Sequence, residues 1–321
     1  MKKALKIIGI AVAALAIVYV ICRVSTPVVY SKYFKASEKH ASIPGLKDGF
    51  VPQGVSWMEK EAMTIMCGYM PGDGNSRLYL MDDEVRKINL LREDGSTYTG
   101  HAGGITYGGD YIYISNESKI FVIDKEKALA AKDNGTLAFE GYFEVPCRAS
   151  FCSSDSKYLY VGEYFAEGYE TDETHRIATA KGENNALVFA YELDGSYTAG
   201  FGIKDTATPA FCFSITDTVQ GFAVDGDHAY LSCSEGLKNS TFIEYDITKA
   251  TTATFNYNGN DIPMYILDKV SQTGRTTLPR MSEDIEVLPD GRVIMAFEAG
   301  AKKFYGGILP FAIKDIRTLE P

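Results

Sequence analysis

Residues 52–57 read Pro-Gln-Gly-Val-Ser-Trp, a polar residue and a small residue followed by an alternating apolar strand. Four later segments open with the same pair or with a close variant of it. The five segments are 52–57 (PQGVSW), 102–107 (AGGITY), 148–152 (RASFC), 219–224 (VQGFAV) and 282–287 (SEDIEV). Successive third positions lie 50, 46, 71 and 63 residues apart, and each segment leads into a turn and a second strand. The chain therefore contains a fivefold internal repeat.

The repeat predicts an all-β fold. Short alternating segments rich in Tyr, Ile, Val and Phe follow each opening and are separated by Gly, Asp and Asn turns. A repeat of roughly 45–60 residues with about four strands is typical of a propeller blade, so we predict a five-bladed β-propeller over residues 43–321. A polar insertion at 166–185 lengthens the third blade. The fifth blade lacks an outer strand, and we expect the N-terminal part to supply it, from 28–34 or alternatively from 43–51.

The N-terminus carries an apolar segment at 4–22 that is interrupted only by Lys6. About 19 residues at 1.5 Å each reach across about 28 Å of hydrocarbon. Lys2 and Lys3 make the leading end basic, so the positive-inside rule predicts a cytoplasmic N-terminus and an exported body. The small residues lie inside the apolar segment rather than after it, which favours an uncleaved signal anchor at 1–24 over a cleaved signal peptide. We expect a single-pass protein of the cell membrane with an extracytoplasmic C-terminal domain, joined by a juxtamembrane linker at 25–42 that could donate the closing strand.

Composition limits the partners of the body. Hydrophobic residues make up 45% of the chain, enough for one large core. The net charge is −10, and the first 23 residues hold four basic and no acidic residues, which leaves −14 on the rest. An acidic body of this kind does not suit nucleic acid, which requires a basic face. We therefore expect two partners, the membrane through the N-terminal helix and a small polar ligand or peptide, and no nucleic acid.

Five cysteines follow the N-terminal signal anchor: Cys67, Cys147, Cys152, Cys212 and Cys233. Their number is odd, and none lies in a CxxC or a Cys/His spacing typical of a metal site. We interpret them as small buried residues on strands. A bridge between Cys147 and Cys152 is the alternative.

Polar residues converge on one end of the predicted central channel, which we call the mouth. The first strand of each blade lines that channel, and its small residue lets neighbouring blades approach the axis. The polar residues beside the small positions, or just before them, are Gln53, His101, Arg148, Gln220, Glu283 and Asp284. The ends of the second strands supply a matched set, Gly68, Asn116, Glu163, Ser234 and Glu298.

Several kinds of chemistry fit these side chains, although the strand ends of any wet channel are polar. Ligand contacts are predicted for six residues: Gln53, Asn116, Arg148, His175, Arg176 and Gln220. His175 and Arg176 lie on the insertion, which could form a lid over the mouth. Proton transfer is assigned to Glu283, Glu163 and His101. A divalent cation such as calcium, which prefers oxygen ligands, is assigned to Glu163, Asp284 and Glu298.

The blade openings also resemble a known family. The openings Gln53-Gly54-Val55, Gly103-Gly104-Ile105, Gln220-Gly221-Phe222 and Glu283-Asp284-Ile285-Glu286 resemble those of the five-bladed glutaminyl-peptide cyclotransferases of bacteria and plants. More loosely, they look like quinoprotein-like and YVTN-type propellers. The cyclotransferase resemblance implies an exported enzyme that cyclises N-terminal glutamine, with the Glu283 carboxylate acting on the reacting amine. The chain departs from that family at Gly103, where an acidic residue is usual, and in having a single tryptophan.

Two classes of function follow from the sequence. The first is a non-catalytic propeller that binds a small polar or cell-envelope ligand in its funnel, the part of the central channel that opens at the mouth. The alternative is an enzyme at the same funnel, either a cyclotransferase or a metal-assisted hydrolase or lactonase.

Overall fold

The computed structural model of the chain describes residues 2–195 and 200–321. Helix α1 spans Lys2–Val29, and a short helix α2 at Ser31–Ala36 follows it. The segment Leu5–Val29 is long and apolar enough to cross a membrane. Its side chains are exposed as far as Val24, whereas Tyr30 and Tyr33 pack into the body. The helix is therefore an apolar rod that leaves the surface of a folded domain.

The domain consists of five blades of antiparallel strands, which confirms the predicted five-bladed propeller. Blade 1 contains β2 (Val51–Met58), β3 (Met63–Tyr69), β4 (Arg77–Met81) and β5 (Val85–Leu91). Blade 2 contains β6 (Gly104–Gly108), β7 (Tyr111–Asn116), β8 (Lys119–Asp124) and β10 (Gly141–Glu144). After β8, α3 (Lys125–Ala130) leads to β9 (Gly135–Ala138), which pairs in parallel with β5. This strand ties the outer edge of blade 1 to blade 2.

Blades 3 and 4 are joined in the same manner. Blade 3 contains β11 (Ala149–Ser154), β12 (Tyr158–Glu163), β15 (Ala186–Glu192) and β16 (Phe211–Ile215), with a small hairpin β13 (Ile177–Thr179) and β14 (Gly182–Asn184) in the insertion. Blade 4 contains β17 (Val219–Asp225), β18 (His228–Cys233), β19 (Ser240–Asp246) and β22 (Gln272–Leu278). A hairpin of β20 (Thr251–Tyr257) and β21 (Asn260–Ile266) leaves blade 4 and adds to the outer edge of blade 3. Short 3₁₀ turns occur at Leu46–Asp48, Glu173–His175, Ile247–Lys249 and Lys302–Phe304.

Blade 5 is completed from the N-terminus, but not by the segment that we expected. It contains β23 (Ser282–Val287), β24 (Val293–Phe297) and β25 (Asp315–Leu319), and its outer strand is β1 (Ser37–Ser42), antiparallel to β25. The expectation that 28–34 would form this strand was wrong, because that segment is helical and places Tyr30 and Tyr33 in the core between blades 4 and 5. The alternative, 43–51, was also wrong, because that segment forms a 3₁₀ turn and leads into β2. The actual strand is mostly exposed and polar, as suits an outer edge.

Small residues allow the inner strands to approach one another, as predicted. A Cβ on Gly54 would lie 2.4 Å from the backbone nitrogen of Ile105, and one on Gly104 would lie 2.4 Å from the backbone nitrogen of Cys152. In blade 3 the sequence alignment was wrong by one residue, because Phe151 and not Ser150 pairs across to the second strand as Gly54 does in blade 1. Contacts between neighbouring inner strands close the ring from β23 back to β2.

The cysteines are free thiols, so Cys147 and Cys152 are not bridged. All five cysteines that follow α1 are buried, in agreement with their interpretation as core residues.

Candidate functional site

A β-bulge in the inner strands directs polar residues towards the mouth. The pairing register shifts between Pro52 and Gly54 in blade 1, and at the matching place in blades 3, 4 and 5. A bulge leaves one residue unpaired and changes the direction of its side chain. The residues at these bulges are Gln53, Ser150, Gln220 and, in blade 5, Glu283 with Asp284.

Two carboxyl groups form the centre of the site. Glu283 is almost fully buried, and its side chain is hydrogen-bonded to that of Glu298, which follows the second strand of the same blade. Burial raises the pKa of Glu283 well above its usual value, and the neighbouring Glu298 raises it further. Burial also raises the pKa of Glu298, to about 7, while hydrogen bonds from Gln53 and Glu283 oppose the increase. Of the two, Glu283 therefore holds the proton more tightly and donates it to Glu298.

Gln53 connects this carboxyl pair to His101. Its Nε2 donates to Glu298 Oε2 at 3.1 Å, and its Oε1 accepts from His101 Nε2 at 2.5 Å. Burial, Lys303 and Arg148 lower the pKa of His101 to about 4, so the ring is neutral with its proton on Nε2. A continuous series of hydrogen bonds thus runs across blades 5, 1 and 2 through Glu283, Glu298, Gln53 and His101.

Tyr69 and Lys303 also belong to the site, although neither was predicted from the sequence. The ring of Tyr69 stacks on His101 with centroids 4.6 Å apart, and Lys303 Nζ donates to Tyr69 Oη at 2.5 Å. Tyr69 immediately follows Gly68 in the matched set of second-strand ends, so a register shifted by one residue would have found it. Lys303 lies on the connection between β24 and β25, which the repeat pattern does not describe.

The remaining predicted ligand contacts differ in their surroundings. Asn116 accepts a hydrogen bond from the backbone nitrogen of His101 at 2.8 Å, so its amide oxygen holds the chain that carries the imidazole. Arg148 is exposed and lies 5.9 Å from the ring centroid of Tyr169. Gln220 is half-buried at the bulge of blade 4. Arg148 and Lys303 are thus two exposed cations whose charges help to lower the pKa of His101.

Two further carboxyl groups lie deeper along the same inner strand. Asp284 Oδ2 accepts from the backbone nitrogen of Ile105 at 3.2 Å. Glu286 accepts from Ser56 Oγ at 2.7 Å and from Thr106 Oγ1 at 2.7 Å, so it links three blades. Burial raises the pKa of Asp284 well above its usual value and raises that of Glu286 to about 7. The channel therefore contains a column of buried carboxyl groups below the mouth.

Glu163 does not join the carboxyl pair at the mouth. Its Oε1 accepts from the backbone nitrogen of Leu187 at 3.0 Å and lies 2.7 Å from His175 Nδ1, and both side chains are buried. The His175 ring packs edge-on against Phe189 and Phe255. The pair thus attaches the insertion to the strands of blade 3.

The predicted cation ligands are not assembled into one group. Glu163 is engaged by His175, whereas Asp284 and Glu298 lie along the inner channel with the partners described above. Over the parts of the chain that the structure describes, no group of three or more His, Cys, Asp or Glu side chains is placed to hold a metal ion. Arg176 is also directed elsewhere, 3.4 Å from Glu170 on the exposed surface of the insertion.

We expect His175→Ala to loosen the insertion, because it removes a partner from the buried Glu163 carboxyl group. The loss should be about 2 kcal/mol in the free energy of unfolding, with faster proteolysis within 166–185. Urea unfolding and limited proteolysis measure the two effects. The exposed Arg176→Ala variant is the control and should change stability by less than about 0.5 kcal/mol. Equal protection of the insertion in both variants would contradict the assigned role of the pair.

Comparison with known proteins does not identify a family for this chain. No family model and no curated protein matches this chain. Among solved structures, a glucose dehydrogenase is similar, with a TM-score of 0.38 and 11% identity over 84% of each chain. The Kuenenia stuttgartiensis hydrazine synthase is similar at a TM-score of 0.38 and 12% identity, over 77% of this chain and 80% of the other. Likeness at this level carries no argument about activity, and the cyclotransferase family is not shown.

Proposed function

We propose that this chain is a membrane-anchored, extracytoplasmic propeller whose funnel binds a small zwitterionic ligand, such as an amino acid or a short peptide. The observation that carries the proposal is the buried Glu283–Glu298 pair at the mouth. Lys2 and Lys3 before the apolar span, together with Lys6 near its start, support the export of the domain.

The carboxyl pair favours a ligand with an ammonium group. The pair holds one proton between two oxygen-rich side chains, and a cation that displaces this proton gains charge-assisted hydrogen bonds. In addition, Glu283 Oε1 is buried without a hydrogen-bond partner among the described residues. A buried acceptor without a partner is unfavourable, and an N–H donor of the ligand would satisfy it.

The basic groups beside the pair favour an anionic group on the same ligand. Lys303 donates to the hydroxyl of Tyr69, whose ring stacks on His101, and the charges of Lys303 and Arg148 both lower the pKa of His101. Arginine recognises carboxylate and phosphate through paired donors, and lysine adds a point charge. A ligand with an ammonium and a carboxylate group would therefore match both parts of the mouth.

Titration calorimetry with glutaminyl-glycine tests the proposal on the full-length chain in nanodiscs. We expect binding of the free dipeptide with release of close to one proton, because the ammonium group replaces the proton of the pair. N-acetyl-glutaminyl-glycine should not bind, and Glu283→Gln should weaken binding about tenfold or more. Glu144→Gln, an exposed carboxyl group on β10, is the control and should bind as the wild type does. Equal binding of the acetylated peptide would contradict the proposal.

Catalysis at the same funnel is the second candidate function. The pKa of about 7 for Glu298 suits a group that exchanges a proton at neutral pH. The same dipeptide distinguishes the two candidates, since cyclotransfer would release ammonia and consume the amine. Intact dipeptide after prolonged incubation would leave binding as the function of the funnel.

A further inference from the structure

The end of α1 meets the body on the side of the mouth. Arg23 Nη1 donates to the carbonyl oxygen of Pro310 at 3.3 Å, and Tyr30 Oη donates to Asn239 Oδ1 at 2.8 Å. Pro310 lies on the connection that follows Glu298, and Asn239 lies on the connection between β18 and β19. Both connections leave the ends of second strands that form the mouth. The apolar helix therefore departs from the same face as the candidate site.

No spacer separates the apolar span from this face. The exposed part of α1, residues 5–24, measures about 30 Å at 1.5 Å per residue, which equals the hydrocarbon thickness of a bilayer. Contacts with the body already begin at Arg23, and Thr26 is buried. If α1 crosses a membrane, as the proposed function holds, the mouth face lies at the bilayer surface.

A groove on this face has apolar walls and a basic lining. It has a volume of about 820 Å³ and lies between residues 42–48 and 300–308. Tyr305 and Ile308 stand beside it with 72% and 69% of their surface exposed. Large exposed apolar side chains in one patch are typical of a surface that contacts a partner or a membrane.

The charge of the groove is opposite to that of the domain. Lys47, Lys302 and Lys314 line it, together with Asp48 and Asp315. The carboxylate of Asp315 is already paired with Lys39 at 2.9 Å, so the lining is basic on balance. The groove therefore has a local excess of positive charge, although the net charge of the whole chain is −10. Lysines at a membrane surface attract anionic headgroups, each contributing about 1 kcal/mol.

We propose that this groove binds an anionic phospholipid of the leaflet from which α1 emerges, with the headgroup phosphate on the lysines and the upper acyl chain against Tyr305 and Ile308. The proposal rests on the membrane anchor of the proposed function. Because the groove adjoins the loop that carries Lys303, a bound lipid would also hold that loop in place beside the mouth.

Brominated lipids test the contact, because bromine quenches tryptophan fluorescence only at short range. The full-length Ile308→Trp variant is placed in mixed phosphatidylcholine and phosphatidylglycerol vesicles, with bromine on the acyl chains of one lipid or the other at equal mole fraction. Trp57, the single native tryptophan, lies near the opposite end of β2 and gives a constant background. Val85→Trp, exposed at the opposite end of blade 1, is the matched control.

We expect brominated phosphatidylglycerol to quench Ile308→Trp about twofold more than brominated phosphatidylcholine does, and neither lipid to quench Val85→Trp. Adding Lys47→Gln and Lys302→Gln to the Ile308→Trp variant should remove the extra quenching by brominated phosphatidylglycerol. Adding Lys60→Gln, at an exposed turn, should retain this extra quenching. Equal quenching by the two lipids, or no quenching in protein that floats with the vesicles, would overturn the lipid site alone. Failure of the wild-type chain to float with the vesicles would overturn the membrane anchor as well.

Discussion

Replacing Gly104 by alanine is expected to lower the free energy of unfolding by about 3 kcal/mol. The new Cβ would lie 2.4 Å from the backbone nitrogen of Cys152 and 2.8 Å from the Cα of Phe151. These are backbone atoms of the neighbouring inner strand, so relief of the clash requires blades 2 and 3 to move apart. Chemical denaturation followed by circular dichroism measures the loss.

The control for this substitution is Gly307→Ala. Gly307 has no positive φ angle, and a Cβ at that position would have no neighbour within 4 Å. Its effect on the free energy of unfolding should stay within about 0.5 kcal/mol. Similar stability of the two variants would contradict the close approach of the inner strands at Gly104.

The repeat carried most of the information about the fold. The spacing of Gly54, Gly104 and Gly221 predicted the number of blades because each glycine meets a structural need, the contact of one inner strand with the next. The closing strand Ser37–Ser42 was missed because an outer edge has few buried side chains and so has no apolar signal. Ser150 was placed one residue out of register because Phe151, and not a small residue, occupies the position of Gly54 in blade 3, so the alignment on small residues selected the preceding serine.

The repeat predicted which side chains meet at the mouth, but not the contacts of segments that lie outside the repeat. Alignment of blade openings and strand ends brought Gln53, Glu283 and Glu298 to one mouth, and the structure joins them by hydrogen bonds. Glu163 belongs to the same alignment, yet its carboxylate is engaged by His175 from the insertion. Such an insertion has no counterpart in other blades, so its contacts are not visible in a periodic pattern.

The free energy of unfolding is expected to fall by about 1.5 kcal/mol or more between about pH 6.5 and pH 8. Four carboxyl groups of the channel have raised pKa values: about 7 for the buried Glu286 and the half-buried Glu298, and well above the usual value for the buried Glu283 and Asp284. In the unfolded chain these groups titrate near pH 4, so the native state holds more protons across this range and loses stability as they dissociate. His101 has the opposite shift, to about 4, and its contribution is complete above about pH 6.5.

Thermal and urea unfolding across this pH range measure the effect. The variant Glu283→Gln, which keeps the shape of the side chain but cannot ionise, should have a slope smaller by up to about 1.4 kcal/mol per pH unit. The exposed Glu144→Gln should retain the wild-type slope, because an exposed carboxyl group has a similar pKa in the folded and unfolded states. A wild-type stability that stays constant or rises between about pH 6.5 and pH 8 would mean that the channel carboxyl groups are ionised. The shared proton on which the ammonium-binding proposal depends would then not exist.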